Sequence, residues 1–303
     1  APLRGAARGV YAVRDSIRSF PSQSMNTANC DFHCHSTVSD GLMPPADVVR
    51  RAAANGVTTL ALTDHDDFSG LKIARETAAE CGIDFVNGVE ISIEWNGTPI
   101  HIVGLGFDAD APAINAGLAE LRGGRVERAR RMSEALAAIG IHGVFEGASK
   151  HAGNPSLISR AHFARYLVEI GICKDVQSVF YSYLTPGKPG YVDHRWATLE
   201  NAISWIKSAG GVPVVAHPAR YKISNAQVRD FLSEFKDAGG EAIEVTCGSH
   251  TPDQVATFAN LARHYGFYAS RGSDFHGPEE SYVDLGKLPG LPEDLKPVWQ
   301  LLS

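Results

Sequence analysis

The sequence predicts an α/β fold in which a barrel of mostly parallel strands is interrupted by a helical segment, and three observations support it. Short apolar runs alternate with amphipathic helical patterns in the first and last thirds of the chain. Most of these runs end on a histidine or an acid, and a barrel of parallel strands brings its strand ends to one rim. Between the two alternating regions, a segment rich in Ala, Leu, Arg and Glu predicts helices only.

Composition and net charge limit the expected binding partners and cellular compartment of the protein. The 303 residues are 44% hydrophobic and 20% charged, which is typical of a globular protein with one large domain or two ordinary ones. A net charge of -6 gives no global attraction to nucleic acid, so phosphate binding needs a local patch or bound cations. No apolar run is long enough to span a bilayer, so we expect no membrane partner. Five cysteines without Cys-x-x-Cys spacing favour a reducing compartment and a cytoplasmic location.

Residues 1–24 form a distinct segment with four arginines and one acid. This basic, acid-poor composition resembles that of a transit peptide. We expect instead a disordered N-terminal extension, because Met25 stands just before the first strand and could itself be a start.

The first part of the barrel is expected over residues 25–108. Pro45 in a first turn and Gly56 at the end delimit a helix, and Asn96-Gly97 is a hairpin signal. The predicted strands are 29–35, 57–63, 83–86, 91–95 and 99–106, with a turn at 87–90 and helices at 45–55 and 70–81.

A helical insertion is expected over residues 109–195 and the second part of the barrel over 196–303. The insertion contains helical patterns at 111–140, 157–170 and 176–183 and ends in a Pro/Gly loop at 184–191. In the second part, helices at 199–209, 225–238 and 252–264 alternate with strands at 212–216, 242–246 and 268–270.

Nine candidate metal ligands fall on or just after the predicted strands. His33 and His35 project from the same side of an extended segment, so both can reach one ion. Nine donors are more than one ion uses, and the absence of cysteine at these spacings argues against a structural zinc site. Imidazole suits zinc, iron and manganese, whereas carboxylates suit harder ions. The candidates are His33, His35, Asp40, His65, Glu90, His101, His217, Asp274 and His276.

These residues stand in motifs that resemble the polymerase and histidinol phosphatase (PHP) family. The motifs are His33-Cys34-His35, Ser39-Asp40-Gly41, Thr63-Asp64-His65, Gly88-Val89-Glu90, His101, Ala216-His217-Pro218 and Ser273-Asp274-Phe275-His276. The resemblance implies a distorted (βα)7 TIM-like barrel with two to three divalent ions, Mn²⁺ before Mg²⁺, Zn²⁺ or Fe²⁺. It assigns His33, His35, Glu90 and Asp274 to one ion, Asp40, His65 and His276 to a second, and His101, His217 and bridging Glu90 to a third.

The insertion resembles that of one branch of the family, the bacterial nucleoside 3',5'-bisphosphate phosphatases, which are also described as 5'-to-3' exoribonucleases. The matching segments are Asn154-Pro155, 158–165, 183–192 and His194. This implies a nucleoside 3',5'-bisphosphate and short, single-stranded 5'-phosphorylated RNA as substrates, and no duplex DNA. The lysine-poor surface and neutral insertion agree with a small or single-stranded substrate.

Clustered divalent ions activate water and neutralise phosphate oxygens, so no side-chain nucleophile is needed. Consistently, the sequence contains no Gly-x-Ser-x-Gly motif and no phosphate-binding Gly-rich motif. Asp40 and His65 are expected to be catalytic, and His194 is a general-acid candidate or a linker residue.

Arg160 is expected to hold a terminal phosphate, with Arg220 and Lys188 as weaker candidates. The arginines of 122–131 are interpreted as a solvated helix face that could guide an RNA tail, and Trp95, Trp196 and Phe275 as packing residues.

Two alternatives stay open at this point. One is a histidinol-phosphate phosphatase, which would not need a second phosphate-binding arginine on an insertion. The other is an inactive PHP-like regulatory domain, which we would expect to have lost ligands, whereas this chain retains the full set.

Overall fold

The computed structural model describes residues 29–194 and 196–302. The expected extension 1–24 lies outside the described residues.

Seven strands form one sheet in the order β1 to β7, and this confirms the predicted α/β barrel. All run in the same direction except β4, which pairs antiparallel with both β3 and β5. The sheet nearly closes, because the amide of Phe32 donates to the Arg271 carbonyl at 3.0 Å and that of His35 to the Phe275 carbonyl at 2.8 Å. The strands are β1 (Cys30–Asp31), β2 (Thr59–Leu62), β3 (Asp84–Trp95), β4 (Thr98–Leu105), β5 (Val212–Val215), β6 (Ala242–Cys247) and β7 (Tyr268–Gly272).

The described residues contain ten α-helices, five of which, α1, α2, α8, α9 and α10, cover the outside of the barrel with their apolar faces. The helices are α1 (Pro45–Ala54), α2 (Leu71–Cys81), α3 (Pro112–Gly123), α4 (Arg125–Ala137), α5 (Val144–His151), α6 (Arg160–Glu169), α7 (Val176–Val179), α8 (Leu199–Ser208), α9 (Asn225–Asp237) and α10 (Pro252–Tyr265). Within the described part of the chain, no helix is long and apolar enough to cross a membrane.

The barrel interior has an apolar floor and a polar rim. Val86 of β3 and Val103 and Leu105 of β4 belong to one buried interior cluster. Side chains alternate between the two faces of a strand, so the same inward rows continue to Glu90 and His101. Because β4 is antiparallel to β3, His101 near the start of β4 lies beside the second half of β3, which is close to the rim.

The predicted turn at 87–90 is wrong, because β3 continues through it for 12 residues. Gly88 is required by packing rather than by a turn. A Cβ at this position would lie 2.5 Å from the carbonyl oxygen of Leu62 on the neighbouring strand. The predicted strand at 29–35 is also shorter, since β1 ends at Asp31 and the next residues bond to the segment around β7.

The insertion has its own core, which begins at α4. Residues of α3, including Leu118, pack with the barrel layer, whereas α4 to α7 and the π-helical turn Phe180–Leu184 share a separate apolar cluster. The predicted helix at 111–140 is broken at Gly124, where a Cβ would meet the His194 ring at 2.6 Å. Helix α5 was not predicted, since its short sequence is stabilised by packing on α6, where Gly147 lies against the Tyr166 ring. The boundaries at 109 and 195 stay a prediction.

We expect Gly88→Ala to lower the free energy of unfolding by about 1–3 kcal/mol, because the added methyl group meets the backbone of β2. Urea denaturation monitored by circular dichroism measures the change. Gly123→Ala is the matched control, since nothing lies within 4 Å of the added Cβ. It should be neutral or stabilising by up to about 1 kcal/mol. A Gly88→Ala protein as stable as wild type would contradict this packing argument.

Candidate active site

The nine predicted ligands lie together at the rim, where the parallel strands end. Glu90 and His101 lie within strands, and the others come from segments that directly follow β1, β2, β5 and β7. Their donor atoms form three groups in which all atoms lie within 4.8 Å of one another. The groups are His35, Asp40, His65 and His276; His33, His35 and Glu90; and His65, Glu90 and His101.

The two residues outside these groups also approach them. Asp274 Oδ1 lies 3.6 Å from His33 Nε2 and 3.4 Å from His35 Nε2. The Nε2 atom of His217 lies 2.9 Å from Glu90 Oε1. The arrangement overlaps the division among three ions that the resemblance implies, but it also brings His35 next to Asp40. The division itself stays a prediction.

Glu90 is at the centre of the site and is fully buried. Its Oε1 lies 2.9 Å from His101 Nδ1, and its Oε2 lies 2.9 Å from His65 Nδ1 and 3.3 Å from His35 Nε2. Burial alone would raise the pKa of this carboxyl, but the surrounding imidazoles, led by His101 and His65, hold the pKa well below its usual range. Glu90 therefore stays ionised at neutral pH.

Several donor atoms face each other in a way that fits shared cations. The Nε2 atoms of His33 and His35 are 3.2 Å apart, although the Nδ1 of His33 is already used by Glu244. His65 Nδ1 and Glu90 Oε2 are close but lack hydrogen-bond geometry, so both are buried without a hydrogen bond. Nitrogen and oxygen atoms that converge in this way cost free energy unless a proton or a cation lies between them. The donor set, imidazoles with carboxylates and no thiolate, suits divalent ions.

The carboxylates also raise the pKa of two of the imidazoles. Burial lowers the pKa of His35, but the nearby carboxylates of Asp274 and Glu90 outweigh burial and raise it to about 10. Burial has the same effect on His33, where the charges of Glu244 and Glu90 raise the pKa well above its usual range. A bound cation would compete with protons for these imidazole nitrogens, so metal binding and proton release are coupled here.

Two ligands have a left-handed backbone. His217 has a φ of 26° and Asp274 a φ of 55°, and neither residue is glycine. Such conformations cost free energy and persist at sites where the surrounding structure determines them. Arg220 pairs with Asp274, and although burial raises the pKa of this carboxyl, Arg220 and His33 hold it well below its usual range. Burial and Arg220 lower the pKa of His217 to about 4.

Glu244 is a site residue that sequence reasoning missed. This buried side chain accepts a hydrogen bond from His33 Nδ1 at 2.7 Å and another from the backbone amide of His217. It therefore fixes which nitrogen of His33 faces the rim. Gly272 makes room for this contact, since a Cβ there would lie 2.2 Å from that of His33. The available signal was an acid at an inward position of the predicted strand 242–246.

Buried carboxylates also hold the loops that carry the ligands. Asp64 accepts hydrogen bonds from the amide and hydroxyl groups of both Ser36 and Ser39, at 2.6 to 3.2 Å. Asp31 accepts from the amides of Ser273 at 2.8 Å and Gly286 at 3.1 Å. These contacts fix the segments on either side of the site before any ligand binds.

A pocket of about 1020 Å³ opens above the ligands, between the rim and the insertion. One part of it, here called the arginine region, consists of Arg125, Arg128, Arg160 and Trp196. The guanidinium groups of Arg125 and Arg128 lie 5.1 and 5.4 Å from the centre of the Trp196 ring. Both side chains are only 5% exposed, so their interpretation as part of a solvated helix face is wrong. Trp95 and Phe275 are buried, which confirms their packing role.

The arginine region contains more positive charge than its own contacts neutralise. Arg125 pairs with Asp66, whereas Arg128 donates to the Val192 carbonyl at 2.8 Å. Half-buried Arg160 reaches the Leu184 carbonyl at 3.4 Å, and neither it nor Arg128 has an ion pair within the described residues. Burial and the neighbouring arginines lower the pKa of Arg128 to about 9. This charge arrangement favours an anion.

The three other residues predicted to contact substrate, Arg220, Lys188 and His194, do not lie together. Arg220 lines the pocket through its pair with Asp274. Lys188 lies outside the pocket wall, with its Nζ 5.2 Å from the centre of the Tyr181 ring. His194 packs edge-on against Trp196, and burial with Arg128 and Arg125 lowers its pKa to about 4. Its imidazole is thus neutral at pH 7 in this structure. The roles assigned to Asp40, His65 and these three residues stay predictions.

Comparison with known proteins agrees with this geometry. The chain is 50% identical over 276 residues to a 3',5'-nucleoside bisphosphate phosphatase from Chromobacterium violaceum, which covers 91% of this chain and 97% of that protein. It is 40% identical over 274 residues to a 5'-3' exoribonuclease from Haemophilus influenzae, with coverage of 90% and 99%. A solved structure of an amidohydrolase from C. violaceum matches with a TM-score of 0.88 and 50% identity, covering 91% of this chain and 96% of that one. The PHP domain model matches residues 31–245, and the chain therefore belongs to the PHP domain family.

Proposed function

We propose that this protein is a metal-dependent phosphoesterase that removes the 3'-phosphate of nucleoside 3',5'-bisphosphates and leaves 5'-mononucleotides. We propose that it also degrades short, single-stranded 5'-phosphorylated RNA from its 5' end, and that it acts neither on duplex DNA nor at membranes. The observation that carries the proposal is the arginine region beside the complete ligand set, because it provides a second anion site next to the reacting phosphate. The names of the two relatives support the same pair of activities.

The candidate ligands would hold two to three divalent ions, and the resemblance to the PHP family makes Mn²⁺ the first candidate, before Mg²⁺, Zn²⁺ or Fe²⁺; imidazole and carboxylate donors together suit such ions. Such ions lower the pKa of bound water and neutralise phosphate oxygens. Glu244 orients His33, and Asp64 holds the loop of Asp40. A cytoplasmic location agrees with the five free thiols.

One site can serve both substrates, because each contains a nucleoside with a 5'-phosphate and with phosphorus on its 3'-oxygen. Arg160 would hold the 5'-phosphate, and buried Arg128 beside it adds to the field that attracts an anion. The phosphorus at the 3' position would then lie over the ligands, with Arg220 near it. Lys188 is a weaker candidate for phosphate contact. His194 could assist departure of the 3'-oxygen only once a substrate anion raises its pKa.

We expect His35→Ala and Asp274→Ala each to reduce phosphate release from pAp by more than about a hundredfold, since both remove donors from the metal centre. Bound manganese, measured by elemental analysis, should fall in parallel. His151→Ala is the control, because this histidine pairs with Glu169 at 2.7 Å on the surface of the insertion. Wild-type rates in either ligand variant at saturating manganese would reject the assignment.

Arg160→Ala should weaken hydrolysis of pAp and of 5'-phosphorylated RNA in parallel, while sparing RNA with a 5'-hydroxyl group. Loss of a charge-assisted contact costs about 1.5–3 kcal/mol, or roughly tenfold to a hundredfold in kcat/KM. Arg130→Ala serves as the matched control, because Arg130 is an exposed arginine on α4 that packs over Phe145. Loss of only one of the two activities would show that Arg160 does not hold the 5'-phosphate in a shared site.

Manganese binding should release protons near pH 7, because the cation competes with protons for the His33 and His35 nitrogens, whose pKa values are raised. Both pKa values are raised in the free site, so the competition strengthens as the pH falls, and affinity should decrease from pH 8 to pH 6. Calorimetry in buffers with different ionisation enthalpies gives the proton number. A heat that does not depend on the buffer would contradict this coupling.

A further inference from the structure

The pocket has a second region that is chemically different from the arginine region. It is formed by residues 277–282, here called the rim loop, of which Glu279, Glu280, Ser281 and Tyr282 line the pocket. Helix α6 contacts both regions. Arg160 at its start belongs to the arginine region, whereas Arg165, five positions later, contacts the rim loop.

The rim loop is fixed relative to the metal ligands. Buried Arg165 donates to both carboxylate oxygens of Glu280, at 2.8 and 2.7 Å, and also to the backbone carbonyl of Asp40. The hydroxyl of Ser281 accepts hydrogen bonds from the amide of His276 at 2.8 Å and from that of Gly277 at 3.1 Å. Two predicted ligands, Asp40 and His276, are thus tied to this loop from different sides.

Tyr282 directly follows Ser281 and lies one Cα–Cα step, about 3.8 Å, beyond it. Its side chain lines the pocket and is 77% exposed. Among the described residues, no ring contact, hydrogen bond or ion pair involves this side chain. A large aromatic ring left open at the wall of a polar pocket is the unusual feature here, since single exposed apolar residues elsewhere need no explanation.

The charges beside Tyr282 favour the base of a nucleotide over its phosphate group. Glu279 and Glu280 lie in the same loop, and only the charge of Glu280 is neutralised by Arg165. A phosphate group placed directly against Glu279 would be repelled, whereas the face of a base can stack on an aromatic ring without any charge.

We propose that Tyr282 is a stacking platform for the base on the 3' side of the scissile phosphate in RNA. The inference rests on the proposed function and extends it to the second nucleotide. With the 5'-phosphate in the arginine region and the scissile phosphate over the ligands, the chain continues toward the rim loop that holds His276. A nucleoside 3',5'-bisphosphate has no base at that position, so Tyr282 distinguishes RNA from the small substrate. Stacking tolerates any base, which suits a nuclease that proceeds nucleotide by nucleotide.

The test compares kcat/KM on a 5'-phosphorylated trinucleotide with kcat/KM on pAp in the manganese-loaded enzyme. Tyr282→Ala should lower the RNA-to-pAp ratio by roughly fivefold to 150-fold, the usual effect of removing one stacked aromatic. Tyr282→Phe should keep the wild-type ratio, since the ring is retained. Tyr181→Ala is the matched control, because Tyr181 is 74% exposed but lies outside the pocket wall. An RNA lacking the second base should be cleaved equally by wild type and Tyr282→Ala.

Direct binding separates this proposal from the function on which it rests. The probe is the same trinucleotide with a nonhydrolysable scissile linkage and 2-aminopurine as second base, whose fluorescence falls when it stacks. Quenching by wild type and its loss in Tyr282→Ala support the platform. This holds even if wild type cleaves neither substrate. Absence of cleavage would overturn only the proposed function. Equal quenching by both proteins, or an unchanged RNA-to-pAp ratio in Tyr282→Ala, overturns the platform.

Discussion

The burial of one ionised carboxylate, that of Glu90, is the constraint on which the rest of the site depends. A charge without solvent is tolerated only when opposite charges and donors surround it, and five imidazoles approach it within about 3.3 Å. Around Glu90 of β3, that ring of histidines requires side chains from β4 and from the segments after β1, β2 and β5. The barrel satisfies this requirement because its strand ends meet at one rim.

The second constraint is the attachment of the insertion to this rim. Arg125 pairs with Asp66, which directly follows the ligand His65, and Arg165 reaches the carbonyl of the ligand Asp40. Both arginines are buried. Breaking the pair of Arg125 and Asp66 would leave a buried charge unpaired, whereas Arg165 would keep its pair with Glu280 and lose only its hydrogen bond to the Asp40 carbonyl. The insertion is therefore held in a fixed position relative to the candidate metal ligands, although its apolar core is separate. These two arginines therefore join the insertion to the segments that carry the candidate metal ligands.

Much of the fold, and the meeting of the nine candidate ligands at one rim, could be predicted from the sequence, because strand ends, a hairpin signal and histidine placement are local patterns. The errors came from tertiary contacts. The turn expected at 87–90 is a strand whose Gly88 serves close packing, and α5 forms because Tyr166 packs on it. Glu244 was missed because a single acid in an apolar strand does not reveal its partner. The burial of Arg125 depends on Asp66, 59 positions away, and no periodicity shows it.

Barrel closure has a consequence for the order of folding. The contact that closes the sheet joins the amide of Asp274 to the carbonyl of His33 at 2.8 Å, across most of the chain. Contacts between such distant positions pay a large loop-closure entropy and form late, after local helices and hairpins. Asp274 and His276 join the other ligands only at that step. A chain that ends before β7 therefore lacks two of the nine candidate ligands, whereas the group of His65, Glu90 and His101 does not depend on this closure.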